Sequence, residues 1–485
     1  MLYASKQLIK QMLHAHKWMG VSLGAGLYLI CLSGTVLVFG HEFERWQQPH
    51  IDEFDTLSPR AIDNARQQIL QRSDTSPETI WVMPPTDGMP RAHVATAEHE
   101  WFTDSAGNLT EVPLEEAGFA AMLRHLHYYL HLPENFGMII VGIFGVMLLG
   151  LALSGVLAHP AIIKDAFKLR LEQSYRLQQT DIHNRLSVWS LPFSLMIALT
   201  GAYIGLISVM VVVAAPLLYN NDLTAIMDAV YGADPIMDGE ISPFDTRRAL
   251  DELRRVAPEA EPIYLAYQHP GSRKQFLEIA ATLPGRLTYS EIYRFNSAGD
   301  YVNHQGLSDG PVARVVAYSV YRLHFGQFGG FGVKLLYVVF GLALTVVCAG
   351  GINIWLAKRK RETRINSAWA ALVWGTPLGL SGSALLSVFV PTLATGTFWG
   401  ITALVLVAGI VTNCATKVRA SLQWLLSASL VTLALAHLWY TEAHTTAGIG
   451  LAVDLILLLV GLTGVWLLSR QAVIDSPEPN LLPGD

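Results

Sequence analysis

Eight apolar stretches of membrane-spanning length constrain this chain of 485 residues more than any other feature of its sequence. A bilayer core of about 30 Å is crossed by a helix of roughly 20 apolar residues. The stretches lie at 18–39, 137–157, 188–218, 333–356, 369–390, 397–414, 422–440 and 447–468. The composition, with 52% hydrophobic and 15% charged residues, fits the same class. The sequence therefore predicts an all-α polytopic membrane protein with about eight helices, the third long enough to tilt or to project past the bilayer.

Basic residues predict how these helices are oriented. They are concentrated after the second, fourth and sixth helices, and comprise Lys164, Lys168, Arg170, Arg176, Lys358, Arg359, Lys360, Arg361, Arg364, Lys417 and Arg419. Short connections rich in Lys and Arg remain in the cytoplasm. An even number of helices then places both termini in the cytoplasm and two large loops, at about 41–125 and 219–315, outside. The lipid bilayer is an expected partner, and nothing in the sequence indicates nucleic-acid binding.

The first part of the chain is repeated in the second. Gly34 follows His16 by 18 positions, Gly201 follows His183 by 18 positions, and each glycine comes after Ser or Thr. The outer loops match as well, because the segments 104–108 and 296–300 both carry an Ala-Gly sequence typical of a hairpin turn. Each unit reads as a helix, a small outer α+β domain and a second helix, so two parallel repeats form a duplicated four-helix core. We predict repeat unit one at 1–175, repeat unit two at 176–365, and a four-helix membrane extension at 366–485.

Four histidines occupy corresponding ends of the core helices. His16 and His183 open the first and third helices at the cytoplasmic face, and His324 precedes the fourth helix at the outer face. The matching position before the second helix is held by His127 or His131. Ionisable residues in membrane helices are costly and mark functional sites, and two histidines on facing helices are suited to hold a heme iron from both sides. We predict heme and metal ligation by these histidines, with one pair near each face.

The sequence leaves several points of this hypothesis open. His127 and His131 are four residues apart and share a helical face, whereas His125 faces elsewhere. A single histidine at an interface is also explained as a polar cap, although four at duplicated positions favour ligation. The chain has no CxxCH motif, so the expected hemes are non-covalent and of b type.

The motifs around these histidines resemble the PepSY-associated transmembrane family. They are HKWMG at 16–20 with Ser33-Gly34, LH at 126–127, HNRL at 183–186 with Thr200-Gly201, and LHFG at 323–326. The outer segments resemble PepSY-type domains, and the resemblance covers about 1–365. Asn184 replaces the arginine usual in the family, and residues 366–485 add four helices to the minimal core. The family includes bacterial inner-membrane reductases of ferric siderophores with a four-helix di-heme core.

The resemblance implies an inner-membrane oxidoreductase, a heme-dependent ferric-chelate reductase with two heme b groups. Electrons would pass from a cytoplasmic or quinol donor to a periplasmic ferric siderophore or similar Fe(III) chelate, releasing Fe(II). Candidate contacts on the outer side are Trp101, Tyr318, Tyr321 and Arg322, which also suit interface anchoring. Two alternatives are a siderophore or metal permease without heme and a heme-free scaffold with partner-binding PepSY domains. The histidines lie at the faces and not at the midplane, which disfavours the permease.

The extension carries few polar groups. Asp454 lies inside the last apolar stretch, where it serves either as a proton or helix-pairing site or as part of a buried hydrogen bond. His437, Glu442 and His444 cluster at the outer end of the seventh helix, as a metal site or as part of a solvated loop. The sequence assigns no function to these four helices.

Overall fold

The computed structural model describes residues 5–72, 76–111, 118–170, 172–359, 361–441 and 448–474. The first part of the chain, up to residue 170, begins with a long helix and continues through a small α+β region to a second long helix and a short one. Its elements are α1 (Lys6–Leu37), α2 (Gly40–Gln47), α3 (Pro59–Arg72), β1 (Thr79–Met83), β2 (Ala92–Ala95), β3 (Glu100–Thr103), β4 (Leu109–Glu111), α4 (Phe119–Tyr129), α5 (Glu134–Ala158) and α6 (Ile162–Asp165).

The second part follows the same order. Its elements are α7 (Tyr175–Trp189), α8 (Leu191–Leu218), α9 (Leu223–Tyr231), α10 (Thr246–Val256), β5 (Glu261–Gln268), β6 (Phe276–Thr282), β7 (Glu291–Phe295), β8 (Tyr301–His304), α11 (Val312–Phe325) and α12 (Gly330–Leu356). The extension contains α13 (Arg364–Phe389), a 3-10 turn (Pro391–Leu393), α14 (Ala394–Thr412), α15 (Ala415–Tyr440) and α16 (Ile449–Ile474). Helices α7 and α13 begin next to the predicted limits of the units, and the division into repeats stays a prediction.

Among the described residues, eight helices are long and apolar enough to cross a membrane, as predicted: α1, α5, α8 and α12 to α16. The protein is therefore a multi-pass membrane protein. The long third stretch forms one helix of 28 residues, α8, and the chain breaks at Ser190 between α7 and α8. Pro192 explains the break, since its ring lacks an N–H and clashes with the carbonyl four residues earlier.

The strands form one sheet and not two separate domains. Eight antiparallel strands are arranged in the order β4-β3-β2-β1-β5-β6-β7-β8, and β1 joins β5 through pairs such as Val82 with Leu265. The two outer regions predicted from the sequence therefore meet in one continuous sheet. Each half alone would leave β1 or β5 as an unpaired edge, and joining the two edges satisfies both backbones.

Helices α3 and α10 share one apolar core with this sheet. Ile62 and Ile69 of α3 pack in the same cluster as Leu250 of α10 and strand residues from both halves. The Thr246 hydroxyl also donates to Asp63 over 2.6 Å. The predicted hairpin turns form, with Gly107 at φ +80° and Gly299 at φ +83°, values that glycine adopts without strain.

Four helices form the membrane core beneath the sheet. Helix α1 lies between α5 and α12, and α5 packs on α8. Small residues allow these close approaches, because a Cβ atom added at Gly142 would lie 2.8 Å from the backbone of Gly205. The extension packs outside this core, and the Tyr28 hydroxyl of α1 donates to the Val373 carbonyl of α13 over 2.6 Å.

Candidate functional site

The four predicted histidines form two pairs. His16 of α1 lies beside His183 of α7, with ring centres 6.3 Å apart and ring planes at 79°. His127 of α4 lies beside His324 of α11, with ring centres also 6.3 Å apart and planes at 24°. The second pair is next to the end of α1 that leads into the sheet, and the first is near the opposite end. We call them the sheet-side pair and the far-side pair.

In all four rings, Nδ1 is held by the protein. The partners for His16 are the Leu151 carbonyl at 3.0 Å and the Ser154 hydroxyl at 3.2 Å. His183 Nδ1 lies 3.0 Å from the Val347 carbonyl. A carbonyl accepts only, so Nδ1 carries the proton in these two rings.

The sheet-side rings are held in the same way. His127 Nδ1 donates to the Ile30 carbonyl over 3.0 Å, with the Ser33 hydroxyl at 3.4 Å. His324 Nδ1 lies 2.9 Å from the Thr200 hydroxyl, which itself donates to a carbonyl and therefore accepts from the ring. Within the described chain, Nε2 of the four rings has no protein hydrogen bond, so this nitrogen is left for a metal.

A glycine backs each histidine. A Cβ atom at Gly155 would lie 3.1 Å from Cε1 of His16, and one at Gly201 would lie 3.0 Å from Cε1 of His324. At Gly34 it would overlap the His127 ring, and at Gly351 it would lie 3.5 Å from Cε1 of His183. The imidazoles of His16, His127 and His324 therefore occupy space that a side chain on the neighbouring helix would restrict, whereas Gly351 leaves ordinary contact distance to His183.

The Ser-Gly and Thr-Gly pairs that recur along the sequence have a structural role that sequence reasoning did not assign. Ser33-Gly34, Ser154-Gly155 and Thr200-Gly201 each supply a hydroxyl for Nδ1 and a gap for the ring. The fourth site has Ala349-Gly350 and relies on the Val347 carbonyl alone. The repeated spacing of these pairs was the available signal, since each one faces a histidine on another helix.

His131 lies outside both pairs. Its Nε2 donates to the Met122 carbonyl over 2.9 Å, and its Nδ1 accepts from the Trp399 indole over 2.9 Å. Both nitrogens are thus engaged with protein groups and neither is left for a metal. The His125 ring lies beside that of Tyr129, with ring centres 5.1 Å apart and planes tilted by 34°. Of the three candidates before the second helix, only His127 faces His324.

An apolar cavity of about 420 Å³ borders the sheet-side pair. His127 and His324 line it together with Gly34, Gly201 and Leu344 from three core helices. Burial among these helices lowers the pKa of His127 to about 4 and that of His324 to about 3. Both rings are therefore neutral near pH 7, which is the form that binds metals.

A second cavity of about 390 Å³ adjoins the first and shares Tyr128, Tyr321 and Phe325 with it. We call it the tyrosine chamber, since its walls carry six tyrosines: Tyr128, Tyr203, Tyr231, Tyr289, Tyr318 and Tyr321. It lies where α8, α9 and α11 meet beneath the second half of the sheet. Of these tyrosines, the sequence had singled out only Tyr318 and Tyr321.

The other predicted outer contacts lie elsewhere. Arg322 donates to the carbonyls of Arg286 and Thr288, both over 3.0 Å, and so anchors α11 to the sheet region. Trp101 is part of β3 and packs against the core of the sheet. Neither side chain lines the tyrosine chamber.

The chain is similar to known proteins over part of its length. An uncharacterized protein of Pseudomonas aeruginosa is 28% identical over 237 residues, a region that covers 46% of this chain. The chain spans 60% of that relative's length. The sequence profile of the PepSY-associated TM region matches residues 13–358, which include both histidine pairs and more than half of the chain. The protein therefore belongs to the PepSY-associated TM family.

Proposed function

We propose that the protein is a di-heme oxidoreductase of a bacterial inner membrane that delivers electrons to a ferric siderophore or similar Fe(III) chelate. The observation that carries this proposal is the pair of equal ring separations. An imidazole nitrogen about 2 Å from a metal on each side places two ring centres roughly 6 Å apart. Both pairs have a separation of 6.3 Å.

The surroundings of the rings fit bis-histidine ligation. Nδ1 is fixed by a carbonyl or hydroxyl in each ring, which selects the tautomer with Nε2 as the metal ligand. The glycines leave room beside the rings, and the apolar cavity at the sheet-side pair suits a porphyrin. In this proposal His16 and His183 hold one heme b, and His127 and His324 hold the other.

Bound hemes supply reversible one-electron chemistry at both ends of the core, and the chain supplies ligation, insulation and access. The described basic residues Lys164, Lys168, Lys358 and Arg364 lie on the far side, which supports a cytoplasmic position for that side. The sheet then lies in the periplasm. A cytoplasmic or quinol donor would serve the far-side pair, and the chelate would be reduced at the sheet side.

The tyrosine chamber supports a substrate route at the sheet side. It shares walls with the sheet-side cavity, so a molecule in the chamber is separated from the histidine pair by little more than aromatic side chains. Phenol rings give apolar contact and hydroxyl groups that bond to chelate oxygens. Reduction weakens such a chelate, because hard oxygen ligands favour Fe(III) over Fe(II).

A heme assay tests this function. Protein purified after heme-sufficient expression should contain about two non-covalent b-type hemes per chain, as two histidine pairs require. The reduced protein should be reoxidised by a ferric hydroxamate, and a ferrous chelator should trap the released Fe(II). Folded protein without heme would exclude the reductase and favour the heme-free scaffold or permease. Heme-containing protein that ferric chelates do not reoxidise would exclude this substrate class only.

A further inference from the structure

The extension is hydrogen-bonded to both ends of α4, the helix that carries His127. At the start of α4, the Gly118 amide donates to the Pro391 carbonyl over 3.1 Å. Gln47 of α2 accepts from the Ala120 amide over 2.7 Å, and its side-chain amide donates to the Ser387 hydroxyl of α13 over 3.4 Å. The first turn of α4 is thereby tied to α2 and to two elements of the extension.

The end of α4 is tied to the extension by His131. The indole of Trp399 on α14 donates to His131 Nδ1, and His131 Nε2 donates back to the Met122 carbonyl inside α4. The ring therefore bridges Trp399 of α14 and Met122 of α4, and His131 itself follows His127 by four residues along the chain. This contact gives the histidine a role other than ligation.

Helix α2 is itself held by a buried group of three side chains, Trp46, His437 and Asp454, which we call the buried triad. The Trp46 indole donates to one oxygen of Asp454 over 2.9 Å and stacks on His437 with ring centres 4.2 Å apart. His437 places Nδ1 2.9 Å from the other Asp454 oxygen and Nε2 2.9 Å from the Trp46 carbonyl. All three residues are at most 1% exposed. Glu442 and His444, considered with His437 as a metal site, lie outside the described residues.

The hydrogen-bond acceptors around His437 determine how many protons His437 and Asp454 share. Both nitrogens of His437 face oxygen atoms, so a neutral ring and an ionised carboxylate would leave one contact without a proton. The pair therefore holds one additional proton, either as imidazolium with carboxylate or as neutral imidazole with carboxylic acid. Both arrangements are neutral overall, as deep burial requires.

We propose that the extension is a clamp that fixes α4 and thereby the position of His127. Trp399, His437 and Asp454 are then positioning residues for the sheet-side pair. This inference rests on the proposed function, because it assigns to the four added helices the task of holding one ligand of the sheet-side heme. The far-side pair, on α1 and α7, has no corresponding link to the buried triad among the described contacts.

Substitutions at Asp454 test the clamp. In Asp454→Asn, the amide oxygen still accepts from Trp46 and the amide nitrogen donates to a neutral His437, so every contact of the triad is retained. In Asp454→Leu, the contacts to both partners are lost. We expect Asp454→Leu to lower sheet-side heme occupancy several-fold and to shift its reduction potential, while Asp454→Asn retains the wild-type values. The far-side heme should keep its occupancy and potential in both, which also reports that the core has folded.

Two further variants complete the experiment. Trp399→Phe removes the indole N–H that donates to His131, together with part of the ring contact, and should shift the potential of the sheet-side heme. Ser469→Ala, on α16 but bonded only to the Val465 carbonyl of its own helix, should change neither heme. The clamp would be overturned if both hemes were unchanged in Asp454→Leu and in Trp399→Phe. It would also be overturned if Asp454→Leu lost both hemes equally, or if Asp454→Asn and Asp454→Leu had equal effects. Wild-type protein without heme would instead overturn the proposed function.

Discussion

Helices α4 and α11 occupy equivalent places in the two halves of the core, yet their surroundings are opposite. Six residues of α4 are fully buried, whereas no residue of α11 is. Helix α4 is enclosed by α2 and the extension, and α11 borders the tyrosine chamber. Each nevertheless presents one histidine to the same pair. The comparison shows that two histidines in matching positions of the chain are carried by helices of different surroundings, one enclosed by the protein and the other beside a cavity.

We expect the largest effect from removing the histidine of either helix, α4 or α11. His127→Ala and His324→Ala should each abolish the sheet-side heme and leave the far-side heme, so that heme content falls from about two to about one per chain. His131→Ala should retain both hemes. Difference spectra with heme quantification on purified variants provide the measurement. A normal complement in His127→Ala would show that the pairing of α4 with α11 is wrong.

The next largest effect is expected from filling the space that Gly34 and Gly201 leave beside the His127 and His324 rings. Gly34→Ala places a methyl group too close to Cε1 of His127 for van der Waals contact, and Gly201→Ala places one 3.0 Å from Cε1 of His324. Overpacking of this kind costs about 1–3 kcal/mol. We expect weaker heme retention in both, with the greater loss at Gly34, because α4 is clamped and α11 has room to shift. Gly332→Ala on α12, where nothing lies within 4 Å, is the matched control. An equal loss in the control would refute the packing argument.

Substituting the hydroxyl residues that contact Nδ1 should lower heme affinity by less, and by different amounts at Thr200 and Ser33. Thr200 is the hydrogen-bond partner of His324 Nδ1, whereas His127 Nδ1 has the Ile30 carbonyl besides Ser33. Loss of an outer-shell partner typically costs about 10–100-fold in metal affinity. Thr200→Val should approach that range for sheet-side heme, and Ser33→Ala should fall well below it. Heme-transfer rates to an apo-globin acceptor measure both, and the opposite ranking would contradict the assigned bonds.

The smallest effect is expected on the open side, in the tyrosine chamber. Tyr318→Phe and Tyr321→Phe each remove one hydroxyl, and a lost hydrogen bond of about 1 kcal/mol corresponds to roughly a fivefold change in binding. We expect KM for a ferric hydroxamate to rise by about that factor while both heme spectra stay unchanged. Tyr301→Phe, on β8 outside the chamber, is the control. Unchanged KM in both chamber variants would place substrate elsewhere.

Much of the fold was determined locally and could be predicted from the sequence. Eight apolar stretches were sufficient to predict eight spanning helices. In the hydrocarbon core, a single apolar segment satisfies its backbone hydrogen bonds by forming a helix. The hairpin turns were predictable for a similar reason, since Gly107 and Gly299 supply a positive φ that other residues resist. The break at Ser190 was missed, although Pro192 was a visible signal for it.

The sequence alone also placed the candidate histidines at the two ends of the core, because helix length converts residue spacing into depth. Tertiary structure decided which of them meet. His127 and His131 do not share a helical face, because α4 ends at Tyr129 and the backbone of Leu130 and His131 is left-handed. His324 lies beside the His127 ring, and Trp399 is bonded to the His131 ring. Long-range packing likewise joined β1 to β5 and placed Asp454 against Trp46. These outcomes depend on surfaces far apart along the chain, and local pattern carries no information about which surfaces will meet.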